Sequence, residues 1–313
     1  MQNDSIRNRT HKRNMDGFRS AMTPTLAAIA TPLFVLSAMA AAFGNLFCLL
    51  VLWQPSQRST SNIILTSLTL SDSLVGFICF PLVIWRMNIY QNPEMARWAH
   101  YSYGLTTLWI GSSSVCTIVF IAYDRYIHIT KPNKYHDILP KRKAVIIVLS
   151  IWFFALVFGL CCMLFSGLYV TLFPLFYFAS TIIICVSYYL IWKAAKESQR
   201  RIAFNTVCNR QRQRVQNRLV KKVLLLIAIY LVVITHSFAY VILSIIAVKR
   251  PDLLSIDFMV YAQVISMYVA LSNSWMNLPV YVWRDPDFTA ACKRLIRSLG
   301  LRARRTEAIV HMQ

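Results

Sequence analysis

Apolar residues run along this chain in blocks of about twenty or more, separated by short polar stretches rich in Lys and Arg. At about 1.5 Å of rise per helical residue, each block is long enough to cross the roughly 30 Å apolar core of a bilayer. Seven spans are predicted, at 28–53, 61–85, 98–127, 143–166, 169–194, 219–247 and 257–283. The pattern therefore specifies an all-α membrane protein, a seven-transmembrane helix bundle over 28–283. A tail over 1–27 precedes it. Asp285-Pro286-Asp287 then gives an acidic helix start, and Phe288, Ala291 and Leu295 repeat at helical spacing. That spacing predicts a short amphipathic helix over 284–298, lying on the membrane surface, with a tail over 299–313.

Composition agrees, with 57% hydrophobic and 14% charged residues. No two halves look alike, which speaks against an inverted-repeat transporter. The first span follows a polar stretch and lacks a small-residue cleavage site, so a removable signal peptide is not expected. With the N-terminus outside, 24 of the 33 Lys and Arg residues fall on the cytoplasmic side. This bias directs the C-terminus to the cytosol and the chain to the plasma membrane as a multi-pass protein. The basic stretch from Arg7 to Arg19 runs against the bias. Asn3 and Asn8 both begin glycosylation acceptor sequences on the side assigned to the exterior.

A net charge of +21 would suit a nucleic-acid binder, but the basic residues gather at membrane ends, where anionic lipid attracts them. Lipid and partner contact is expected, and no nucleic acid. Cys48, Cys79, Cys116, Cys161, Cys162 and Cys185 lie within apolar spans and read as small hydrophobes, not as a disulfide framework. Cys292, on the amphipathic helix, is a candidate for palmitoylation or a free thiol.

Polar groups within the spans are few. One acid, Asp72, lies deep in a span, and no Lys, Arg or Glu is expected there. A carboxylate in hydrocarbon costs at least about 2.5 kcal/mol and marks a functional site by default. Ser114, Asn273, Ser274 and Asn277 are placed to supply neutral oxygens for a small cation such as sodium, or for a water cluster. A protonated Asp72 bonded to a neighbouring helix is the alternative. No other metal and no cofactor is expected. His236, mid-span in the sixth segment, reads either as a hydrogen-bonded core histidine or as a ligand contact. One carboxylate and one histidine make a poor proton relay. The chain has no His-Glu-x-x-His pair, no Gly-x-Ser-x-Gly elbow and too few glycines for a phosphate loop, so it does not read as an enzyme. At the inner end of the third span, Asp124 and Arg125 form a charged pair poised to exchange partners.

Taken in order, these residues resemble the rhodopsin-like family of G-protein-coupled receptors, from about Leu33 to Leu295. The resemblance is carried by Gly44-Asn45, Leu68-Thr69-Leu70-Ser71-Asp72, Asp124-Arg125-Tyr126, Trp152, Tyr188, Asn273-Ser274 with Asn277, Pro279 and Tyr281, and Phe288. Tyr135-His136, a short fourth loop at Ser166-Gly167, and Tyr281-Val282-Trp283-Arg284 are similar to the group holding melanocortin, adenosine, cannabinoid and lysophospholipid receptors. As in several of those receptors, the outer cysteine of the third span is missing, and His100 stands in its place.

The resemblance implies a two-state bundle in which an external ligand frees Arg125 to contact a heterotrimeric G protein. Asp124, Arg125 and Tyr126 would form the switch, with Tyr188, Asn277, Pro279 and Tyr281 as partners. Arg218, Lys221 and Lys222 would face the G protein or acidic lipid; they read equally as a solvated helix end. Pro132-Asn133 replaces an apolar contact in the second inner loop. The ligand would lie among Leu82, Tyr103, Thr107, Leu108, Gly111, Phe176, Tyr177, Ser237, Phe238, Gln263 and Met267, although aromatic residues here read equally as bundle packing. None of these is charged, which favours a neutral or apolar ligand, including a lipid. A second copy of the chain is a further candidate partner.

Three departures bear on activation. Asn277-Leu278-Pro279 displaces the seventh-span proline by one residue, which turns the kink by about 100° around the helix. The sixth span lacks the family's Trp and Pro, leaving Tyr230 or Phe238 as the aromatic toggle. No acid lies near Gln216 to lock Arg125, which makes basal signalling plausible. Two rival readings stand: a seven-span transporter or channel dependent on Asp72 and His236, and a receptor-like trafficking or dimerisation partner that no longer signals.

Overall fold

The computed structural model describes residues 24–54, 59–89, 92–202, 228, 231–233, 235–236, 238–247, 250, 253–284 and 288–298. Those residues are almost entirely helical. In chain order the helices are α1 (Pro24–Leu52), α2 (Thr60–Asn88), α3 (Pro93–Thr130), α4 (Lys141–Leu164), α5 (Ser166–Ile202), α6 (Leu231–Ala247), α7 (Ile256–Arg284) and α8 (288–298). Segments of α1 to α5 are long and apolar enough to cross a membrane, at 28, 29, 37, 24 and 21 residues. The first part of the expected sixth span, 219–230, falls outside the described residues apart from Ala228.

Local chemistry sets the helix ends. Ser59 caps α2 by accepting from the Asn62 N–H at 3.2 Å, and Asn92 Oδ1 caps α3 by accepting from Glu94 and Met95 at 3.1 and 3.2 Å. Pro93 follows at the first helical position, where its missing N–H costs nothing. The Asn92 cap starts α3 five residues before its expected start, and α2 runs three residues past its expected end. Between α4 and α5 a single residue, Phe165, breaks the helix.

Inside α2, Val75–Cys79 forms one wide π-turn, closed by the Phe80 N–H donating to the Val75 carbonyl. Pro81 follows immediately. Its ring and missing N–H deny the preceding turn ordinary pairing, and the wide turn absorbs the mismatch. Five residues wound about 18° less each turn the outer third of α2 by roughly a quarter turn relative to its inner two thirds.

α3 is the central helix and touches α2, α4 and α5, while α1 packs on α2 and α7. One core cluster joins α1, α2, α3 and α7 around Phe34, Phe80, Val83, Met87 and Leu271; a second joins α2 to α5 around Ile64, Leu68, Ile121 and Ile184. α1 and α2 meet so closely at Gly76 that a Cβ there would lie 2.6 Å from the Ala42 Cα. Only glycine fits such backbone contact. The outer faces carry exposed apolar side chains, among them Ile146, Leu149, Phe153, Ile183 and Val186. Belts of that kind are stable where the surroundings are lipid.

Candidate functional site

The C-terminal end of α3 holds a buried carboxylate with a full set of donors. Asp124 is 1% exposed. Its Oδ1 accepts from the Tyr135 hydroxyl at 2.6 Å, and its Oδ2 accepts from the Ser61 hydroxyl at 2.9 Å and lies 3.3 Å from Arg125 Nε. Ser61 and Tyr135 are themselves 3.2 Å apart. Three elements therefore converge on one acid: α2, α3 and the helical turn Tyr135–Ile138 that follows a 3-10 turn over Pro132–Lys134.

Tyr135 is held there by packing as well as hydrogen bonding. Its ring lies edge-on to His128 at 4.9 Å and to His136 at 5.2 Å, and with Leu139 it plugs the cluster between α2, α3 and α4. Burial, followed by the adjacent Asp124 carboxylate, pushes the Tyr135 hydroxyl up to about 12. It remains a donor at neutral pH. The sequence placed Asp124 and Arg125 as a pair, but Tyr135 and Ser61 were missed as partners of the acid. A tyrosine eleven residues past a membrane-end acid was the available signal.

Arg125 keeps 18% of its side chain exposed, the accessible cation of the pair. Tyr126 packs with Ile129 of its own helix and with Ile191 and Ala194 of α5, and Tyr188 packs on the cluster shared by α2 to α5. Pro132 and Asn133 are exposed on their turn. Arg218, Lys221, Lys222, Tyr230 and Ser237 lie outside the described residues, as do Asn3 and Asn8. Asn277, Pro279 and Tyr281 fall within α7, but their side chains are outside the description.

Deeper in the bundle, Asp72 is 1% exposed. Asn45 ties α1 to α7 by donating to the Ser274 carbonyl at 3.0 Å and to Ala41 at 2.8 Å, leaving its own Oδ1 buried with no partner. Ser272 Oγ and Trp275 Nε1 on α7 are likewise buried without partners, and Ser114 and Ser274 are buried too. Asn45 Oδ1 and Ser272 Oγ are buried oxygens of the kind that ordered water or a small cation satisfies. Asn273 is half-buried. Further along, Ser67 joins α2 to α3 and α4: it lies 3.3 Å from the Thr117 hydroxyl and accepts from Trp152 Nε1 at 3.0 Å.

Two features of the other half of the bundle bear on the expected lining. First, two of the expected aromatic residues make packing contacts with neighbouring helices. Phe176 rests on Phe154 and Phe158 of α4 at 6.2 and 4.7 Å, and Phe238 lies edge-on to the exposed Phe178 of α5 at 6.3 Å. Tyr177 and Gly111 do meet, since a Cβ on Gly111 would stand 3.2 Å from the Tyr177 hydroxyl. Leu108 and Met267 are buried; Leu82, Tyr103, Thr107 and Gln263 are half-buried. The Thr107 hydroxyl sits beside the Cys79 thiol with no hydrogen bond of good geometry.

Second, a cation stands among them. Arg86 lies within α2 and is 9% exposed. Its guanidinium carbon is 5.7 Å from the centre of the Tyr103 ring, and Nη1 is 3.5 Å from Met267 Sδ. Arg86 lies just past the expected end of the second span at residue 85 and two residues before the observed end of α2, beyond the π-turn. Mid-span in α6, His236 Nε2 is buried without a partner.

α8 folds back on α1, with Phe288, Ala291 and Cys292 packed on Cys48, Val51 and Leu52. Gln54 Nε2 donates to the Ala291 carbonyl at 3.2 Å. Cys292 faces α1, and burial raises its thiol pKa. The described cysteines are all free thiols, and the described residues hold no group of three or more His, Cys, Asp or Glu able to bind a metal ion.

An apolar bundle with a carboxylate and arginine at the C-terminal end of its central helix has the architecture of a multi-pass membrane protein. The model of the 7 transmembrane receptor (rhodopsin family) matches residues 44–172, from Gly44-Asn45 through Asp124-Arg125-Tyr126 to the start of α5. Relatives agree. The QRFP-like peptide receptor of Branchiostoma floridae is 30% identical over 132 residues, 42% of this chain and 34% of that receptor. 5-Hydroxytryptamine receptor 6 of Mus musculus is 31% identical over 130 residues, 40% of this chain and 28% of the relative. Melanopsin of Homo sapiens is 24% identical over 283 residues, 79% of this chain and 57% of the relative. The chain thus spans between 28% and 57% of the length of these relatives. Over residues 44–172 the chain is similar to the rhodopsin-like family of seven-transmembrane receptors, and its fold is the seven-helix bundle.

Proposed function

We propose that this protein is a ligand-activated receptor of the plasma membrane whose inner face, centred on Arg125, activates a heterotrimeric G protein. The observation that carries the reading is the arrangement at the end of α3. Asp124 is buried and held in place by Ser61 and Tyr135, while Arg125 reaches it with one nitrogen at 3.3 Å and remains partly exposed. A docking partner that offers carbonyls or a carboxylate therefore competes for the arginine without unfolding the acid's site. Tyr126, against Ile191 of α5, couples the same turn to a second helix. A ligand outside must favour one state; a 100-fold preference supplies about 2.7 kcal/mol.

The orientation that this requires, N-terminus outside and C-terminus in the cytosol, is supported by the Lys and Arg distribution. Glycosylation at Asn3 and Asn8 belongs to the same reading. A sodium ion or water cluster at Asp72 would bias the two states as a modulator. Acylation of Cys292 requires its thiol to leave α1 first.

The test is nucleotide exchange on purified G proteins, with the chain in nanodiscs and Arg125→Ala alongside. Loss of exchange in the variant, at unchanged folding, is the expected result. Exchange and partner binding both indifferent to Arg125→Ala would overturn the proposal. Substrate flux that survives Arg125→Ala and depends on Asp72 and His236 would instead favour a transporter.

A further inference from the structure

We infer that the loop joining α3 to α4 is a docking surface for a membrane lipid whose headgroup carries several phosphates. The leaflet rests on the receptor reading above, which puts this loop in the cytosol, but the surface stands on geometry of its own. Between Lys131 and Lys143 the chain carries five Lys and Arg residues against one acid, Asp137. The fold sorts this segment by side. Tyr135, Leu139 and Ala144 are buried in the cluster shared by α2 to α5, while Lys131, Lys134, Lys141, Arg142 and Lys143 are all exposed. Lys143 Nζ folds back to donate to the Ile138 carbonyl at 3.1 Å, which brings a cation of α4 onto the turn Tyr135–Ile138. None of the five stands in an ion pair among the described residues.

Two further features select the occupant. Immediately beyond the cations the exposed side chains of α4 turn apolar, with Val145, Ile146, Leu149 and Phe153 outward. At about 1.5 Å of rise per residue, Lys141 to Lys143 stand within roughly one turn of that apolar face, the depth at which a lipid's headgroup gives way to its acyl chains. The start of α4 is also unrelieved. Pro140 offers it no side-chain cap, and its first turn holds no acid but Lys141, Arg142 and Lys143 in succession. The first N–H groups of a helix lack partners within it and carry partial positive charge, so three cations there oppose the dipole and an anion relieves them. Phosphate oxygens accept from such N–H groups, from guanidinium and from ammonium alike. A singly charged headgroup would leave most of the five cations unmatched, and an acidic protein surface would leave the apolar face of α4 unused. A lipid with several phosphates matches both. Because Tyr135 hangs from the same loop, with its hydroxyl 2.6 Å from Asp124, such an occupant also bears on the acid that holds Arg125.

The full chain in nanodiscs of phosphatidylcholine tests the inference, with a short-chain phosphatidylinositol bisphosphate, a short-chain phosphatidylserine and free inositol trisphosphate as probes. Binding is read as the shift in thermal midpoint with probe concentration, and G-protein affinity and nucleotide exchange are measured in parallel. The bisphosphate lipid is expected to raise the midpoint at concentrations at least ten-fold below both phosphatidylserine and the free headgroup. Lys141→Gln with Arg142→Gln should erase that preference. Lys293→Gln with Arg297→Gln, which removes the same charge from exposed positions on α8, should leave it intact. Phosphatidylserine binding as well as the bisphosphate lipid, or both pairs of substitutions weakening it alike, would mean attraction spread over the whole basic face and overturns the inference. So does a free headgroup that binds as tightly as the lipid, since the apolar face of α4 would then contribute nothing. If the α4 pair lowers G-protein affinity but keeps the lipid preference, the surface belongs to the protein partner and the inference falls. Lipid preference lost with the α4 pair, in a chain that promotes no exchange, leaves the docking surface standing and removes the G-protein reading. Exchange in a chain without that preference does the reverse.

Discussion

Tyr135→Phe removes a single hydroxyl and preserves the ring that packs against His128 and Leu139, so its effect isolates the bond to Asp124. That bond is short, 2.6 Å from Oη to Oδ1, and its acceptor is a carboxylate 1% exposed. Hydrogen bonds to charged groups contribute about 1.5–3 kcal/mol, and a buried acceptor left short of a donor loses toward the upper end. Asp124 retains Ser61 at 2.9 Å and Arg125 at 3.3 Å, which brings the expected loss to about 2 kcal/mol. At roughly 2–4 °C per kcal/mol for a chain of this size, the midpoint should fall by roughly 4–8 °C. A thiol-reactive dye reads it directly, because Cys48, Cys79 and Cys162 are buried and become reactive on unfolding. The double variant Tyr135→Phe with Asp124→Asn measures the coupling. If the two losses simply add, or if Tyr135→Phe melts within half a degree of wild type on the order of assay error, then Asp124 is not held by Tyr135 and the account of the inner switch is wrong.

Two further outcomes follow from the same structure. The Tyr135 hydroxyl titrates near 12, above the ordinary tyrosine value of about 10, so its bond is fully formed below pH ~10 and is lost as pH rises through ~12; the midpoint gap between wild type and Tyr135→Phe should hold constant from about pH 6 to 9 and close above about 10, as scans at each pH would reveal. Gly76→Ala drives a methyl onto the Ala41–Ala42 backbone, 2.6 Å from the Ala42 Cα, where nothing can yield without parting α1 from α2; a loss above about 3 kcal/mol and collapse of surface expression are expected, and a wild-type midpoint would show that the helices separate freely.

Much of the candidate site was legible in the sequence because membrane burial makes polarity expensive. Asp72, Asn45 and Asp124-Arg125 stand out in apolar blocks, and the structure buries Asp72, Asn45 and Asp124. Helical spacing also anticipated α8, whose Phe288 and Ala291 pack on α1. Aromatic residues carried no such signal. In lipid, a phenylalanine facing outward costs nothing, so Phe176 and Phe238 read equally well as lining or as packing, and the structure puts them in packing against α4 and α5.

What the sequence by itself determined is the membrane solvent, the succession of spans and the scarce polar groups, because hydropathy and charge are local properties summed over a window. What only the tertiary structure decided is which distant groups meet. Tyr135 reaches Asp124 because a helical turn folds under α2 and α3, and Cys292 is covered because α8 turns back onto α1. Arg86 faces the bundle because one wide turn in α2 breaks the phase from which its direction would otherwise be read. Direction around a helix accumulates residue by residue, so a single irregular turn erases it from the pattern while leaving the hydropathy unchanged.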